Sequence, residues 1–258
     1  MNLIFLGVAS ALSNGYNSNI LIEDKKNAML FDCGEDIKHS LRAAGRKVEE
    51  LNSVYISHLH SDHCYGLSWL GYYSYFILKR KINLYIHESL VNELWCMLSP
   101  AMNKLQGGCN FETLATYFNV RSIPDDDPIF SFGTAEMELI KNKHISSFVG
   151  NMYSYGLLIK DDSYKKGIYI SADTMFIPPG TIWNEKIDFV FQDVDVFNLG
   201  GVHCNYNVLK EMPLYYKERI WLYHYTDLSK YDGKYGEMPD AVADGFAGFV
   251  KEGQVFEF

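Results

Sequence analysis

The sequence predicts an α+β fold: two β-sheets packed face to face with helices outside, an αββα sandwich. Three observations predict it. Each half of the 258-residue chain opens on a series of short apolar runs bounded by turn residues. Helical patterns are interspersed among those runs. Polar clusters fall at strand ends, where side chains from distant parts of the sequence can converge. The chain is 48% hydrophobic and 15% aromatic, enough for a substantial core and against global disorder.

The elements follow in order. NLIFLG (2–7) reads as a buried strand ending at a glycine, and SNGYN (13–17) as turn chemistry. SNILIED (18–24) and NAMLFDCG (27–34) read as two strands with DKK as the hairpin tip. EDIKHSLRAAG (35–45) has a helix pattern with a glycine stop. LNSVYIS (51–57) is a strand, GLSWLGYYSYFILKR (66–80) a helix, and INLYIH (82–87) a strand. Residues 88–118 read as helical, interrupted by SPAM and QGG, and form an expected insertion or lid. Strands are then expected at 135–144, 154–161, 167–173, 188–194 and 219–225. A helix is expected at 206–217, limited or kinked by Pro213. No fixed-period repeat and no Gly/Ser linker divides the chain, so one domain over 1–258 is expected.

The formal charge is −9, from 23 Lys and Arg against 32 Asp and Glu. A protein that grips a long polyanion draws its affinity from a basic patch. The densest basic run here is the short ILKRK (77–81), so a small substrate is favoured over a long nucleic acid. Cys33, Cys64, Cys96, Cys109 and Cys204 are scattered, as in a reducing cytoplasm rather than a disulfide scaffold. The run MNLIFLGVASALS lacks a positive flank and leads into another strand, so it reads as fold rather than signal peptide. No apolar run approaches the ~20 residues that span a membrane.

The stretch YISHLHSDHCYG (55–66) gathers His58, His60, Asp62 and His63. Imidazoles with a carboxylate suit Zn²⁺ or another divalent transition metal. Strand alternation alone places His58 and His60 on one side, with Asp62 and His63 in the turn beyond. Four such side chains either crowd one ion or split across two. Asp32, His144, Asp173, His203 and His224 also sit at the ends of apolar runs. A single residue so placed is more often a loop cap or a satisfied core group, and the density of the 58–63 cluster is what argues for metal. His39, on a charged helix, and His87, at a strand end, are read as structural. The aromatics of GYYSYF (71–76) are read as core packing rather than a base-stacking wall.

HLHSDH matches the HxHxDH signature of the metallo-β-lactamase fold superfamily, and the chain resembles that superfamily along nearly its whole length. LGVASALSNGYNSNILIE resembles its opening hairpin, with Val8 and Ala9 in place of the usual Thr-Gly. LFDCGE resembles the strand and turn behind the metal loop, SADT the bridging-aspartate motif, and LYHY the last histidine motif. Residue by residue, the resemblance implies one metal on His58, His60 and His144 and a second on Asp62, His63 and His224. Asp173 would bridge them and Asp32 would brace the loop.

DFVFQDVDVFNLGGVHCNYNVLKEMP with RIWLYHY is similar to the ribonuclease Z branch, and within it to small cyclic-nucleotide phosphodiesterases such as the phage anti-Pycsar enzymes. The long basic arm with which ribonuclease Z grips tRNA is not found between 88 and 144, and its HEAT-like motif is replaced by GGVHCNY around His203. The function implied is hydrolysis of a 3′,5′-cyclic mononucleotide to a linear monophosphate at two divalent ions, zinc or manganese. Such an activity would defeat a nucleotide-based antiphage signal. His203 is the expected acid for the leaving ribose oxygen, Asp193 its orienting partner, and Asp62 a further catalytic carboxylate as well as a ligand. A cytoplasmic homodimer is expected. The alternatives are a ribonuclease Z-like RNA 3′ endonuclease, an ester, lactone or thioester hydrolase on the same fold, and a non-catalytic protein that sequesters a nucleotide.

Overall fold

Short runs of Ile, Leu, Val and Phe at the start of the chain have no polar face, so each must be covered on both sides. A computed structural model describes residues 1–108, 111–161, 166–175, 187–228 and 234–258. In it these runs become β1 (Asn2–Phe5), β2 (Ile20–Asp24), β3 (Asn27–Phe31), β4 (Ser53–Ile56) and β5 (Ile82–His87). They are followed by β6 (Phe118–Ile123), β7 (Ile129–Phe132), β8 (Ala135–Ser147), β9 (Gly150–Asp161), β10 (Lys166–Ile170), β11 (Ile187–Asp193), β12 (Ile220–Tyr223), β13 (Gly248–Phe249) and β14 (Val255–Glu257). Among the described residues the strands form two seven-stranded sheets, β14-β1-β2-β3-β4-β5-β6 and β13-β12-β11-β10-β9-β8-β7.

The two sheets face each other across aromatic contacts. The ring of Phe5 on β1 lies 4.9 Å from Phe191 on β11 and 5.8 Å from Tyr223 on β12. The buried Tyr55 on β4 donates its hydroxyl to the carbonyl of Tyr155 on β9 at 2.8 Å, so its one polar atom is satisfied inside the core. β8 alternates instead: Ala135, Met137 and Leu139 are buried while Glu136 is exposed.

The helices are α1 (Ile37–Ala43), α2 (Ser61–Cys64), α3 (Leu67–Tyr72), α4 (Glu88–Met102), α5 (Leu114–Tyr117), α6 (Tyr206–Lys210) and α7 (Leu214–Lys217). α1 stops at Gly45, whose φ of +67° suits glycine. α3 runs on as a π-helical segment, Tyr73–Leu78, completing the helix expected over 66–80. α4 buries Leu90, Leu94, Leu98 and Met102, a four-residue spacing that forms one stripe. With α5 it makes the helical segment expected near 88–118, and it carries the chain from β5 to its parallel neighbour β6. Pro213 divides the 206–217 helix into α6 and α7 and is itself the N-cap of α7. β6, β7, β13 and β14 were not expected from sequence. β6 is an edge strand with Asn119, Ser122 and Arg121 turned outward, so its apolar alternation is broken. Cys33, Cys64, Cys96 and Cys204 are unpaired, and Cys109 lies outside the described residues. No helix among the described residues is long and apolar enough to cross a membrane.

Candidate metal centre

The site forms where strands of both sheets end and the backbone turns sharply. β4 delivers Ser57 and His58, and α2 carries Asp62 and His63. His144 sits within β8 where the pairing with β9 slips by one residue, a bulge that re-aims a side chain. Asp32 follows β3 with φ +65°, Ala172 precedes Asp173 with φ +53°, and His224 follows β12 with φ +55°. Non-glycine residues in the left-handed region each cost about 1–3 kcal/mol, and such strain gathers at functional sites.

The side chains singled out from sequence meet in two adjoining clusters. In the first, His60 Nδ1 lies 3.2 Å from His58 Nε2 and 3.1 Å from His144 Nε2. Asp173 Oδ2 is 3.5 Å from His58 Nε2 and 3.6 Å from His144 Nε2. In the second, His63 Nε2 is 3.3 Å from Asp62 Oδ2 and 3.3 Å from Asp173 Oδ1. His224 Nε2 is 3.7 Å from Asp62 Oδ2 and 3.3 Å from Asp173 Oδ1. Asp173 thus turns one oxygen to each cluster. The hydroxyl of Ser154 donates to its main-chain carbonyl.

Hydrogen bonds on the far side of each ring assign the tautomers. Asp32 accepts from His63 Nδ1 at 2.7 Å and from the Ser57 amide and hydroxyl at 2.8 Å each. With its proton committed to Asp32, the Ser57 hydroxyl accepts from His58 Nδ1 at 3.0 Å. His144 Nδ1 donates to the carbonyl of Val202 at 3.0 Å, and His224 Nδ1 to the Ser18 hydroxyl at 3.0 Å. Four rings therefore turn Nε2 toward the centre, and His60 turns Nδ1. Asp32, Ser57, Ser18 and the Val202 carbonyl are the supporting groups a metal site requires. Of these, sequence reading named only Asp32. Ser57 could have been found from its place directly before His58, whereas Ser18 and a main-chain carbonyl carry no signal.

These residues fit a metal. His63 Nε2 and Asp173 Oδ1 are buried without a hydrogen-bond partner. Ligand bonds of about 2.0–2.1 Å at tetrahedral angles put donor atoms about 3.3 Å apart, which is the spacing found. Three ring nitrogens packed at 3.1–3.2 Å repel unless a cation lies among them, since one proton satisfies only one contact. Burial, helped by His58, pushes His60 down to about 4. Burial also holds His144 and His224 down to about 3. These imidazoles are neutral, as ligands must be. Against the burial that would raise them, the charged His63 holds Asp62 and Asp173 below the carboxylate range. Burial opposes protonation of His63, but Asp173, Asp62 and Asp32 outweigh it and raise it well above an ordinary histidine.

His203 stands beside these two clusters and forms a third ligand-spaced group with Asp173 and His224. Its Nδ1 is 3.0 Å from Asp193 Oδ2 and 3.8 Å from Asp173 Oδ2. Its side chain is 22% exposed while Asp193 behind it is fully buried. Asp193 also accepts from the Gln192 side chain at 2.7 Å and the Thr174 amide at 3.0 Å, which favours the carboxylate. Burial works against a charged His203, but the bond to Asp193 and the charge of Asp173 prevail and push it up to about 9. The proton of the pair therefore sits on the imidazole. His39 is exposed on α1. The buried His87 stacks on Tyr155 and caps α4 by accepting from the Ser89 amide, and neither histidine belongs to a cluster. The rings of the 71–76 stretch touch Trp69, Tyr117 and one another, but Tyr72 and Tyr73 are only half-buried and Tyr75 and Phe76 are exposed, so the stretch lies at the surface rather than in the core as expected from sequence.

The family model described as anti-Pycsar protein Apyc1 matches residues 1–256. The chain belongs to that family. An anti-Pycsar protein Apyc1 from Paenibacillus sp. (strain J14) is 31% identical over 247 residues, covering 92% of this chain and 95% of the relative. Another from Bacillus phage 010DV004 is 31% identical over 245 residues, covering 88% and 90%. Among solved structures, the metallo-β-lactamase fold protein YhfI from Bacillus subtilis superposes with a TM-score of 0.70 at 16% identity, over 99% of this chain and 98% of that one. The fold expected from HLHSDH, SADT and LYHY is the fold found. Family, fold and the His/Asp cluster together make the chain a metal-dependent hydrolase.

Proposed function

We propose that the chain hydrolyses one phosphodiester bond of a 3′,5′-cyclic mononucleotide to give the linear monophosphate, and that it does so with two divalent ions. The observation that carries this reading is Asp173, whose two oxygens face two separate histidine clusters. Membership of a family named anti-Pycsar, and the likeness to small cyclic-nucleotide phosphodiesterases in the stretch around VHCNY, support the substrate class. The charge of −9 supports a small phosphodiester over a long one.

His58, His60, His144 and Asp173 would hold one ion, and Asp62, His63, His224 and Asp173 the other. Zinc suits the nitrogen-rich donors, and manganese is the alternative. Bound there, divalent ions would supply charge to neutralise the phosphoryl oxygens and would lower the pKa of a water. The rest of the work falls to the chain. Asp32 fixes His63 directly and His58 through Ser57, so one carboxylate orients a ring in each cluster. Asp62 adds negative charge that holds the second cluster together. In the reaction the water oxygen bonds to phosphorus, the bond from phosphorus to the ribose oxygen breaks, and that oxygen takes a proton. His203 is the donor: it is protonated, partly exposed, and anchored by Asp193 through Nδ1, which leaves Nε2 to face the leaving group. We place the enzyme in the cytoplasm, where the buried thiols Cys33, Cys64 and Cys204 stay reduced. We read it as a homodimer, because Tyr75, Phe76 and Ile77 form an exposed apolar face.

The test is turnover of purine and pyrimidine 3′,5′-cyclic mononucleotides with added Zn²⁺ or Mn²⁺, beside a bis-phosphodiester dye and a lactone. Metal-dependent opening to a linear monophosphate with the lactone untouched is the expected result. Dye cleavage without cyclic-nucleotide turnover would move the substrate to RNA ends, and lactone cleavage alone would overturn phosphodiester chemistry.

A further inference from the structure

The chain between β11 and α6, residues 195–205, is a closed loop whose two ends touch. The Asp195 amide donates to the Cys204 carbonyl at 2.8 Å, and the Tyr206 amide donates to the Asp195 carbonyl at 3.0 Å. Compact surface loops of this kind are packed by their own polar groups. Here that group is the carboxylate of Asp195, a residue only 8% exposed. It accepts from the amides of Phe197 at 3.1 Å, Leu199 at 2.7 Å and Gly200 at 3.3 Å. Asn198 and Gly201 take φ of +56° and +65°, so the loop folds back on itself around that carboxylate.

The folded-back side presents two consecutive residues to the metal centre. The Val202 carbonyl accepts from His144 Nδ1, and the His203 ring bonds Asp193. His144 is fully buried, and Val202 is the partner of its Nδ1. A shift of this loop therefore does two things at once. It withdraws the acid, and it leaves a buried ring N–H unpaired, which frees His144 to turn its Nε2 away from His60 and Asp173.

We propose that Asp195 is a positioning residue that couples the two halves of the site: by stapling the 195–205 loop it sets the ring of His144 for metal and the ring of His203 for proton transfer together. Linkage makes the coupling reciprocal, so metal held by the His58, His60, His144 and Asp173 cluster orders the loop. The role assigned to His203 rests on the proposed phosphodiesterase reading, whereas the link to His144 does not.

The experiment is hydrogen exchange of the 195–205 amides in the full chain, metal-free and with Zn²⁺, alongside Zn²⁺ affinity by competition with a chromophoric chelator. In the unaltered protein, Zn²⁺ should slow exchange at the Phe197, Leu199 and Gly200 amides. Asp195→Ala should abolish that protection and weaken one of the two bound ions about 10–100-fold, the loss expected when a ligand's support is removed. Asp195→Asn, which keeps one acceptor oxygen, should fall between. Loop exchange indifferent to Zn²⁺ in the unaltered protein would overturn the proposal, and so would unchanged affinity for both ions in Asp195→Ala. The unaltered protein needs no variant to fold, and neither readout uses a substrate, so a wrong substrate class would leave this result standing.

Discussion

At the level of single residues, substitutions at His203 and Asp173 would separate the proton transfer from the metal holding proposed for them. His203→Ala should keep bound metal, measured by elemental analysis after dialysis, and lose about 10²–10⁴ in turnover, the usual worth of a general acid. Loss of the metal instead would make His203 a ligand. Asp173→Ala should lower metal content, because one side chain serves both clusters, and unchanged content would remove its bridging role. In the metal-free protein His203 should give up its proton as pH rises through about 9, and Asp193→Asn should bring that titration down, both read by NMR. A histidine raised in the folded state contributes its full stability below its unfolded value of about 6.5, and that contribution is lost as pH rises through about 9. The same reasoning applies to His63: its raised affinity for protons makes metal uptake release a proton and weaken as pH falls. The ligand-type residues were legible in the sequence because few side chains can do their chemistry. Ser57, Ser18 and the Val202 carbonyl were not, since a serine or a peptide oxygen is common everywhere.

At the scale of elements, close backbone contacts hold the metal loop in place. A Cβ on Gly34, just after β3, would meet the Asp62 carbonyl at 2.2 Å, and one on Gly66 would meet the Gly34 carbonyl at 2.3 Å. Neither glycine has a positive φ, so the restriction is lack of space rather than backbone strain. Gly34→Ala should push α2 and its Asp62 and His63 outward, weakening metal binding and costing about 1–3 kcal/mol in a denaturant melt, as overpacking does. A variant with unaltered metal affinity would show that the loop has slack. The interior strands β1 to β5 were legible because they are continuous apolar runs. The edges β6 and β7 and the short β13 and β14 were not, because a strand with one neighbour or only two or three residues needs little hydrophobic pattern. Nor does a bulge such as that at His144 announce itself, since it exists only against the partner strand.

At the level of the whole molecule, a hydrophobic cluster running from Met1 to Val250 spans both sheets, and a second, from Leu158 to Phe246, shares the strands β9 to β12 with it. We propose that the 258 residues therefore unfold as one domain. A thermal melt should show one transition that rises when metal is added and falls with a chelator, since an ion at 1,000 times its dissociation constant adds about 4 kcal/mol. Two separate transitions would divide the chain. We propose that both clusters, joined by Asp173, are needed for phosphodiester cleavage. The most direct test of this requirement is turnover of a 3′,5′-cyclic mononucleotide by metal-free protein titrated with Zn²⁺. Turnover should stay low through the first equivalent and reach its plateau at two. Full turnover at one equivalent, or any turnover held constant in excess chelator, would mean that one ion, or none, suffices for cleavage.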